Sequence, residues 1–350
     1  MSIRVGVLTG GGDAPGLNAA ICGLARRLLA AGAELVGFRD GWRGLIEDQH
    51  RSLQHENFQH LLVYGGTLLG SSGDNPYREP ATMVPKVLAT LRNHRLDALV
   101  AIGGEGTLGA ADRLFREQQV PVVGIPKTID NDLDATDFTF GFFSAVEVAT
   151  RAMDDLRSTA ESHGRVMVVE CMGRHAGWIT AYAGVAAGAE AVLVPERHAH
   201  VEEVCQNLQK LKNSGARSAI VAAAEGVRLF EGGTCLSSME KDEFGEYKTG
   251  GVAQTLAKRI QARLGWEARH LVLGHLQRAG KPIAFDRIFA LRLGARAARL
   301  VLEKRFGLMA AMRAGEIVDV PLQAAVAARK TLTNEFLDRY ETFFLPIGGP

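Results

Sequence analysis

The feature that most constrains the fold is a unit that occurs twice: a short apolar run, a glycine-rich turn and a helical segment. In the first copy, residues 4–8 lead into a turn over 9–16 and an alanine-rich helix that ends near Ala31. In the second copy, residues 97–102 lead into the turn Gly103-Gly104-Glu105-Gly106-Thr107. Glycines let backbone N–H groups approach an anion, and the N-terminus of the following helix favours negative charge. Two such turns at one edge of a sheet predict a site for a polyphosphate.

Short apolar strands alternate with helices through most of the chain. Seven or eight such strands are predicted, which is typical of a doubly wound α/β architecture. The chain has 350 residues, enough for two domains of ordinary size. We therefore predict two doubly wound, Rossmann-like lobes with mainly parallel sheets and an active-site cleft between them. Long helices are expected over 145–161 and 285–303, a terminal helix over 331–344, and a polar surface segment over 231–248.

The composition excludes several classes of function. Lys plus Arg total 40 against 39 Asp plus Glu, a net charge of +1, so the basic excess of a nucleic-acid-binding protein is absent. No run approaches the roughly 20 apolar residues of a membrane span, and the N-terminus enters a strand without the features of a signal peptide. The cysteines form no C-x-x-C pair, which argues against zinc and for a reducing, cytoplasmic location. These cysteines are Cys22, Cys171, Cys205 and Cys235.

The densest polar segment follows the apolar run 120–125 and reads Pro126-Lys127-Thr128-Ile129-Asp130-Asn131-Asp132. Pro126 has no N–H to donate, so the strand is expected to end before it. Open α/β sheets bind their ligands at the carboxyl ends of their strands. Asp130 and Asp132 point the same way in an extended loop, so one can take a proton from a hydroxyl while the other helps to hold a metal. Lys127 and Thr128 can meet the transferred anion. A polar turn with an Asx cap is the alternative interpretation.

Other strand ends also carry polar or glycine residues. Arg174 follows a buried strand, and its planar fork suits a phosphate. Glu225 closes a later strand, and the glycine- and serine-rich segment 65–76 suits contact with a nucleotide. Glu105 is the candidate magnesium ligand, although a carboxylate is stabilised at a helix N-terminus in any case. Trp42 either flanks a nucleotide base or belongs to the core, and we favour the core.

Five motifs together resemble the bacterial-type 6-phosphofructokinase family. They are Gly10-Gly-Gly-Asp-Ala-Pro-Gly16, Gly103-Gly-Glu-Gly-Thr107, Pro126-Lys-Thr-Ile-Asp-Asn-Asp132, Met172-Gly-Arg174 and Gly274-His-Leu-Gln-Arg278. The resemblance runs from about residue 3 to 325. It implies transfer of a phosphoryl group to the 1-hydroxyl of fructose 6-phosphate, a need for Mg²⁺, and a homo-oligomer, either a dimer or a tetramer. The larger, nucleotide-binding lobe would comprise residues 1–140 and about 277–325. The smaller, sugar-phosphate-binding lobe would comprise residues 141–276 and about 326–350.

The resemblance also implies a role for each matched residue. Asp130 would accept the hydroxyl proton, and Thr128, Asp130 and Asp132 would surround the transferring group and its magnesium. Arg174 would stabilise the developing charge. Met172 and Gly173 would line the sugar, Glu225 would accept its hydroxyls, and His275 and Arg278 would hold the 6-phosphate. Arg165 and Arg269 would complete the site of a neighbouring subunit. The resemblance also implies substrate contacts for Ile129, Leu276 and Gln277 and a catalytic role for Lys127. It implies nucleotide contacts for Gly11, Gly73, Gly104, Glu105, Gly106 and Thr107.

Two residues bear on the phosphoryl donor. In the family, a glycine at the place of Gly106 leaves room for the α-phosphate of ATP, whereas pyrophosphate-dependent members carry aspartate there. Lys127 conflicts with this, because pyrophosphate users carry lysine at its place. A subgroup with both residues uses ATP, so ATP is the expected donor. A pyrophosphate-dependent phosphotransferase and a weakly active regulatory paralogue are the alternatives.

Two positions depart from the family pattern. Gly73 stands where the family commonly has an arginine that contacts phosphates. Cys22 replaces a basic residue of the family's effector site, which leaves the response to effectors open.

Overall fold

The computed structural model describes residues 2–236 and 249–344. Two compact units make up the chain, and each contains several separate segments. The first unit comprises Met1–Ile129, Leu133–Ser144 and Arg278–Arg329, and the second comprises Asp130–Asp132, Ala145–Gln277 and Lys330–Pro350. The backbone therefore crosses between the two units at five peptide bonds, the first of which joins Ile129 to Asp130. Among the described residues, no helix is long and apolar enough to cross a membrane.

The secondary structure of the described residues alternates strands with helices. In chain order, the strands are β1 Arg4–Thr9, β2 Glu34–Phe38, β3 His50–Ser52, β4 Ala98–Gly103, β5 Val122–Pro126, β6 Val166–Cys171, β7 Ala191–Leu193, β8 Ala199–His200, β9 Ala219–Ala224, β10 Leu229–Glu231, β11 Thr234–Cys235, β12 Ala268–Val272, β13 Leu308–Arg313 and β14 Glu316–Pro321. The α-helices are α1 Leu17–Ala30, α2 Trp42–Ile46, α3 Pro80–Asn93, α4 Glu105–Gln118, α5 Phe142–His163, α6 Trp178–Ala186, α7 Val201–Asn213, α8 Val252–Leu264, α9 Ala284–Leu302, α10 Leu322–Val326 and α11 Asn334–Arg339. Short 3-10 helices cover His60–Val63 and Gly274–Gln277.

The first unit is built on a seven-stranded sheet in the order β14-β13-β5-β4-β1-β2-β3. Its five central strands are parallel, and β3 and β14 are antiparallel at the edges. Successive strand residues feed different clusters, because side chains alternate across a sheet. Val7 packs with α1 and α9 on one face, whereas Leu8 packs with α3, α4 and α10 on the other. Helices therefore cover both faces.

The second unit contains a four-stranded parallel sheet in the order β12-β6-β9-β7 and a small sheet of β11, β10 and β8. Val221 lies in a cluster with α7 and α8. On the other face, a Cβ at Gly184 of α6 would lie 2.7 Å from Val192 and 3.1 Å from Ala222. Because Val221 and Ala222 are neighbours on β9, the helices again lie on opposite faces.

These features confirm the predicted α/β class with mainly parallel sheets. Trp42 is fully buried, as its interpretation as a core residue predicts. The predicted helices over 145–161 and 285–303 correspond to α5 and α9. The predicted helix over 331–344 is wrong in extent, because only Asn334–Arg339 is α-helical there. Of the polar segment predicted over 231–248, residues 237–248 lie outside the described residues.

The prediction that the strand of the apolar run 120–125 ends before Pro126 is also wrong. Pro126 is the last residue of β5 and is paired with Gly103 of β4, and the N–H of Lys127 still donates to the Gly103 carbonyl at 2.9 Å. In a parallel ladder, alternate residues bond to opposite neighbours. The missing N–H of Pro126 would therefore point toward β13, whose pairing with β5 spans only Val123 and Gly124. Proline is tolerated because no ladder bond is lost at this position.

A buried carboxylate fixes the start of α5 in the first unit. Asp286 is fully buried near the start of α9, and its oxygens accept hydrogen bonds from Gly141 N at 3.0 Å, Ser144 N at 2.7 Å and Ser144 Oγ at 2.6 Å. Burial raises the pKa of Asp286 to about 6, and the bonds from Ser144 and Gly141 oppose the shift. The residue is thus a hydrogen-bond acceptor that holds two backbone donors out of water.

We predict that Asp286→Ala lowers the free energy of unfolding of the first unit by about 1–3 kcal/mol at pH 5, because buried donors lose their acceptor. The folded-state pKa lies above the ordinary 3.8. The carboxyl's contribution is therefore fully present below pH 4 and is lost as pH rises through about 6, so the deficit should be smaller at pH 7. Urea unfolding at both pH values measures it. Glu335→Ala, an exposed surface change, is the control. An equal deficit for both variants contradicts the assignment.

Candidate active site

In the first unit, two glycine turns lie side by side at the carboxyl edge of the sheet. They follow β1 and β4, which are neighbours in the sheet. The strand after β1 in the chain, β2, lies on one side of this pair, and the strand after β4, β5, lies on the other side. This is the topological switch point, where open α/β sheets bind ligands. Gly10 N donates to Ile102 O at 2.9 Å, which links the ends of the two strands. Gly11 N donates to Ser72 O at 2.9 Å, so the segment 65–76 joins them.

Thr107 is the side chain on which the two turns pack. It is 5% exposed. A Cβ at Gly10 would lie 2.6 Å from its Oγ1, and a Cβ at Gly103 would lie 2.4 Å from its Cβ. Any larger residue at either glycine would separate the turns. The contact therefore explains two of the glycines by packing rather than by ligand binding.

Two cations lie against the first turn. The Lys127 side chain is 2% exposed, and its Nζ donates to the Gly12 carbonyl. Arg278 Nη1 donates to the Asp13 carbonyl at 2.9 Å. Thr128 continues from Lys127, and its carbonyl accepts a hydrogen bond from Thr139 Oγ1 at 2.7 Å, which fixes the course of the loop. Two positively charged side chains thus meet at one turn, which gives it a potential that favours an anion.

The other predicted nucleotide residues lie around the start of α4. Glu105 is its first residue, is exposed, and lies 3.5 Å from Arg329 Nη2. A Cβ at Gly106 or at Gly73 would have no heavy atom within 4 Å, and at Gly104 the nearest is Lys127 O at 3.5 Å. None of these glycines has a positive φ, so the fold itself does not require them to be glycine.

In the second unit, three neighbouring strands bring their carboxyl ends together. Met172 and Gly173 follow β6, Glu225 follows β9, and Gln277 lies just after β12. Met172 N donates to Gln277 Oε1 at 3.3 Å, and Gly173 N donates to Glu225 Oε1 at 3.4 Å. His275 and Leu276 are exposed beside the buried Gln277. The sequence-predicted sugar-phosphate residues of this unit therefore share one edge.

Gly226 sets the position of Arg174. An added Cβ there would lie 1.9 Å from the Arg174 carbonyl oxygen and 3.2 Å from that of Gly173. Backbone passes directly over backbone at this point, which only glycine allows. Arg174 is exposed to solvent, whereas its backbone is confined.

Glu225 and Asp130 form a pair of interacting carboxylates. Burial raises the pKa of Glu225 to about 7, and the negative charge of Asp130 adds to this, while the Gly173 N–H and the charge of Arg174 oppose it. Such perturbed groups cluster at functional sites. Asp130 and Asp132 belong to the second unit, and Lys330 N donates to Asp132 O at 2.9 Å, which anchors the loop end.

Two carboxylates that the sequence interpretation missed, one buried and one half-buried, support this edge. Glu170 of β6 is 2% exposed and accepts hydrogen bonds from Gly251 N at 3.1 Å and Ala253 N at 2.9 Å. Glu196 accepts from Gly177 N at 3.0 Å and Leu332 N at 2.9 Å, and burial raises its pKa. An acid inside the apolar run Val166–Cys171 was the available signal for Glu170.

Arg165 and Arg269 lie at the opposite, amino-terminal edge of the same sheet. Both pair with Glu267, Arg165 at 3.0 Å and Arg269 at 2.6 Å, and the Arg165 guanidinium lowers the pKa of Glu267. The six residues of β6 separate Arg165 from Met172, which corresponds to about 20 Å at the usual strand rise. The structure does not bring these two arginines to the other predicted residues of their own chain.

Comparisons with known proteins indicate the family of the chain. A model of the family described as phosphofructokinase matches residues 4–301. The pyrophosphate–fructose 6-phosphate 1-phosphotransferase of Amycolatopsis methanolica is 50% identical over 343 residues, which cover 98% of this chain and all of that protein. ATP-dependent 6-phosphofructokinase 3 of Streptomyces coelicolor is 46% identical over 333 residues, which cover 95% of this chain and 97% of that protein.

Solved structures agree as well. The crystal structure of Pichia pastoris phosphofructokinase in the T-state matches with a TM-score of 0.82 and 31% identity over 93% of this chain, which spans only 36% of that longer chain. The protein is thus a phosphotransferase of the α/β class. More particularly, the chain belongs to the phosphofructokinase family. Relatives named for ATP and for pyrophosphate have similar identity, so membership leaves the donor open.

The interaction between the two carboxylates can be tested without any assay of activity. We predict that Asp130→Asn lowers the pKa of Glu225 below about 7, because one source of repulsion is removed, but leaves it above 4.5, because burial remains. Carboxyl-carbon NMR titration of the ¹³C-labelled protein measures this. Asp132→Asn is the matched control on the same loop. An unchanged Glu225 titration in Asp130→Asn would show that the two groups do not interact.

Proposed function

We propose that the protein is an ATP-dependent 6-phosphofructokinase of glycolysis, which transfers the γ-phosphoryl group of MgATP to the 1-hydroxyl of fructose 6-phosphate. Family membership supports the reaction class. The observation that carries the choice of donor is the open space at Gly106, beside the turns that would hold the nucleotide. The products are fructose 1,6-bisphosphate and ADP.

The nucleotide would bind at the glycine turns of the first unit. Backbone N–H groups, the start of α4 and the side chain of Lys127 offer positive potential to its phosphates. Mg²⁺ is commonly held by one or two carboxylates together with substrate phosphates. The exposed carboxylate of Glu105 fits that requirement, and the ion would neutralise phosphate charge.

The hexose phosphate would bind at the shared edge of the second unit. Asp130 takes the proton of the 1-hydroxyl. The hydroxyl oxygen then forms a bond to the γ-phosphorus of ATP while the bond between that phosphorus and the ADP oxygen breaks. Arg174 stabilises the charge that develops on the transferred group. Glu225 accepts a hydrogen bond from a sugar hydroxyl, and His275 and Arg278 hold the 6-phosphate, as the family resemblance implies. The raised pKa of Glu225 allows it to exchange a proton near neutral pH.

Arg165 and Arg269 would act on another subunit. They lie at the far edge of their own sheet, about 20 Å of strand from Met172, so a role for them in sugar-phosphate binding needs a second copy of the chain. This supports a homo-oligomer, a dimer or a tetramer, in which each copy completes a neighbour's site.

The role of Lys127 bears on the donor. Its Nζ donates to the Gly12 carbonyl, so the lysine has a structural function in joining the end of β5 to the first glycine turn. A lysine with that function is compatible with either donor. An aspartate at position 106, in contrast, would add a negative charge beside the phosphates, and Gly106 avoids this. The identity of 50% to a pyrophosphate-dependent relative supports the alternative, a pyrophosphate-dependent phosphotransferase.

A donor comparison tests the proposal. With fructose 6-phosphate, we expect ATP to support turnover and pyrophosphate not to. Gly106→Asp should lower kcat/KM for ATP by at least about 10²-fold, or roughly 2.7 kcal/mol, without changing the melting temperature. Gly109→Asp is the matched control, because Gly109 lies on the same helix with no heavy atom within 4 Å of its added Cβ. Comparable turnover with pyrophosphate in the unchanged protein would overturn the choice of ATP.

A second test concerns the base. Asp130→Ser should lower kcat by about 10²–10⁴-fold with little change in the affinity for fructose 6-phosphate, because general base catalysis acts in the transition state. Asp134→Asn, an exposed carboxylate on the same loop, should leave kcat unchanged. If the unchanged protein binds the sugar phosphate but shows no turnover with either donor, the regulatory paralogue becomes the better reading.

A further inference from the structure

Three metal-ligating side chains of the first unit converge outside the residues assigned to catalysis. They are Asp48, which follows α2, His50, the first residue of β3, and His94, which follows α3. His94 Nε2 lies 2.6 Å and His50 Nδ1 lies 3.2 Å from the same oxygen, Asp48 Oδ1. One ligand atom from each residue lies within 4.8 Å of the other two. Among the described residues, this is the group of three such side chains that meets that criterion.

The distances fit a small tetrahedral ion. Bonds of about 2.0–2.1 Å to nitrogen and oxygen ligands place neighbouring ligand atoms roughly 3.3 Å apart. The His50–Asp48 separation already matches this value. The His94–Asp48 separation needs to open by less than about 1 Å, which side-chain rotation supplies. In the absence of an ion, His94 Nε2 is hydrogen-bonded to the Asp48 carboxylate at 2.6 Å and His50 Nδ1 donates to the Asp48 main-chain carbonyl at 3.2 Å, so the ligands are kept together.

The backbone presents the three ligands from hydrogen-bonded elements. Asp48 has a left-handed φ of 56°, and the flanking backbone is held by Gln49 N to Gly44 O at 2.8 Å. His50 pairs with Phe38 in the sheet. The Phe38 ring lies 6.3 Å from the ring of His50 and 6.0 Å from that of His94, and the two imidazoles are 4.1 Å apart. Little ordering would therefore remain to be done on binding.

The chemistry of the ligands selects the ion. Two imidazoles and one carboxylate are ligands of Zn²⁺ and related transition-metal ions, whereas Mg²⁺ prefers oxygen ligands. The side chains of Asp48 and His50 are 44% and 39% exposed, so an ion can enter and keep a water in the remaining position. The absence of C-x-x-C pairs argues only against a cysteine-bound zinc, which is a different site.

We propose that Asp48, His50 and His94 bind one zinc-class divalent ion on the first unit, separate from the magnesium of the phosphotransferase reaction. The bound ion joins three elements: the residue after α2, the edge strand β3 and the end of α3. Because the ion binds the folded state and not the unfolded chain, it raises the stability of the folded state. The ion is therefore a structural tie of the sheet edge rather than a reactant.

The test uses the full-length, tag-free protein after treatment with EDTA. Zinc chloride is titrated in competition with a chromophoric chelator, in excess Mg²⁺ so that the magnesium position is saturated. We expect one Zn²⁺ per chain and a rise in melting temperature. His94→Asn and His50→Gln should each weaken binding by more than about 10-fold, since even outer contacts of a metal site are worth that much. Cobalt chloride should give the visible absorption of a four-coordinate site, which either substitution abolishes.

Two matched variants control for other metal ligands. His60→Asn removes an exposed histidine of the same unit whose ring meets that of Tyr64 edge-on, and Cys235→Ser removes the one cysteine that is not buried. Both should bind zinc as the unchanged protein does. No stoichiometric binding by the unchanged protein, or binding that survives His50→Gln and His94→Asn, overturns the proposal. Melting temperatures of the metal-free variants show whether either substitution merely unfolds the protein. If His94→Asn unfolds it, His50→Gln still tests the proposal, because His50 is exposed.

Discussion

The pairing of β1 with β4 is the interaction on which the first unit depends. Five residue pairs, from Val5 with Ala98 to Thr9 with Ile102, hold two strands whose chain neighbours lie on opposite sides. Their carboxyl ends therefore bring two glycine turns together where the strand order reverses, and Thr107 fills the space between them. The second unit repeats the principle, because β6 lies between β9 and β12 and the three strand ends carry the polar residues.

Buried and half-buried carboxylates organise the loops that this arrangement exposes. Asp286, Glu170 and Glu196 each accept backbone N–H groups, mostly from segments distant in the chain. Their donors among the described residues are backbone N–H groups and, for Asp286, also the Ser144 hydroxyl. An acceptor that replaces water for two donors is worth more inside the protein than at its surface. These hydrogen bonds thereby help to hold loops with many glycines in one conformation.

The sequence predicts the class of fold well because each glycine turn follows an apolar run of the right length. It fails where tertiary pairing decides the local structure. Leu308–Arg313 reads Leu-Met-Ala-Ala-Met-Arg, a composition typical of helix, yet it is strand β13 because it pairs with β5 and β14. The polar residues at strand ends are visible in the sequence. The hydrogen-bond partners of Glu170, however, are Gly251 and Ala253, which lie some 80 positions away and cannot be read from the sequence.

The order of the segments has a consequence for how the chain is made. Strand β13 completes the central sheet of the first unit beside β5, but the ribosome synthesises it only after residues 145–277 of the second unit. During translation, the first unit must therefore wait with β5 as a temporary edge, while the second unit's parallel sheet is already entire. An unpaired strand edge invites association with other chains. Nascent-chain aggregation should accordingly be governed by the interval between the emergence of β5 and that of β13.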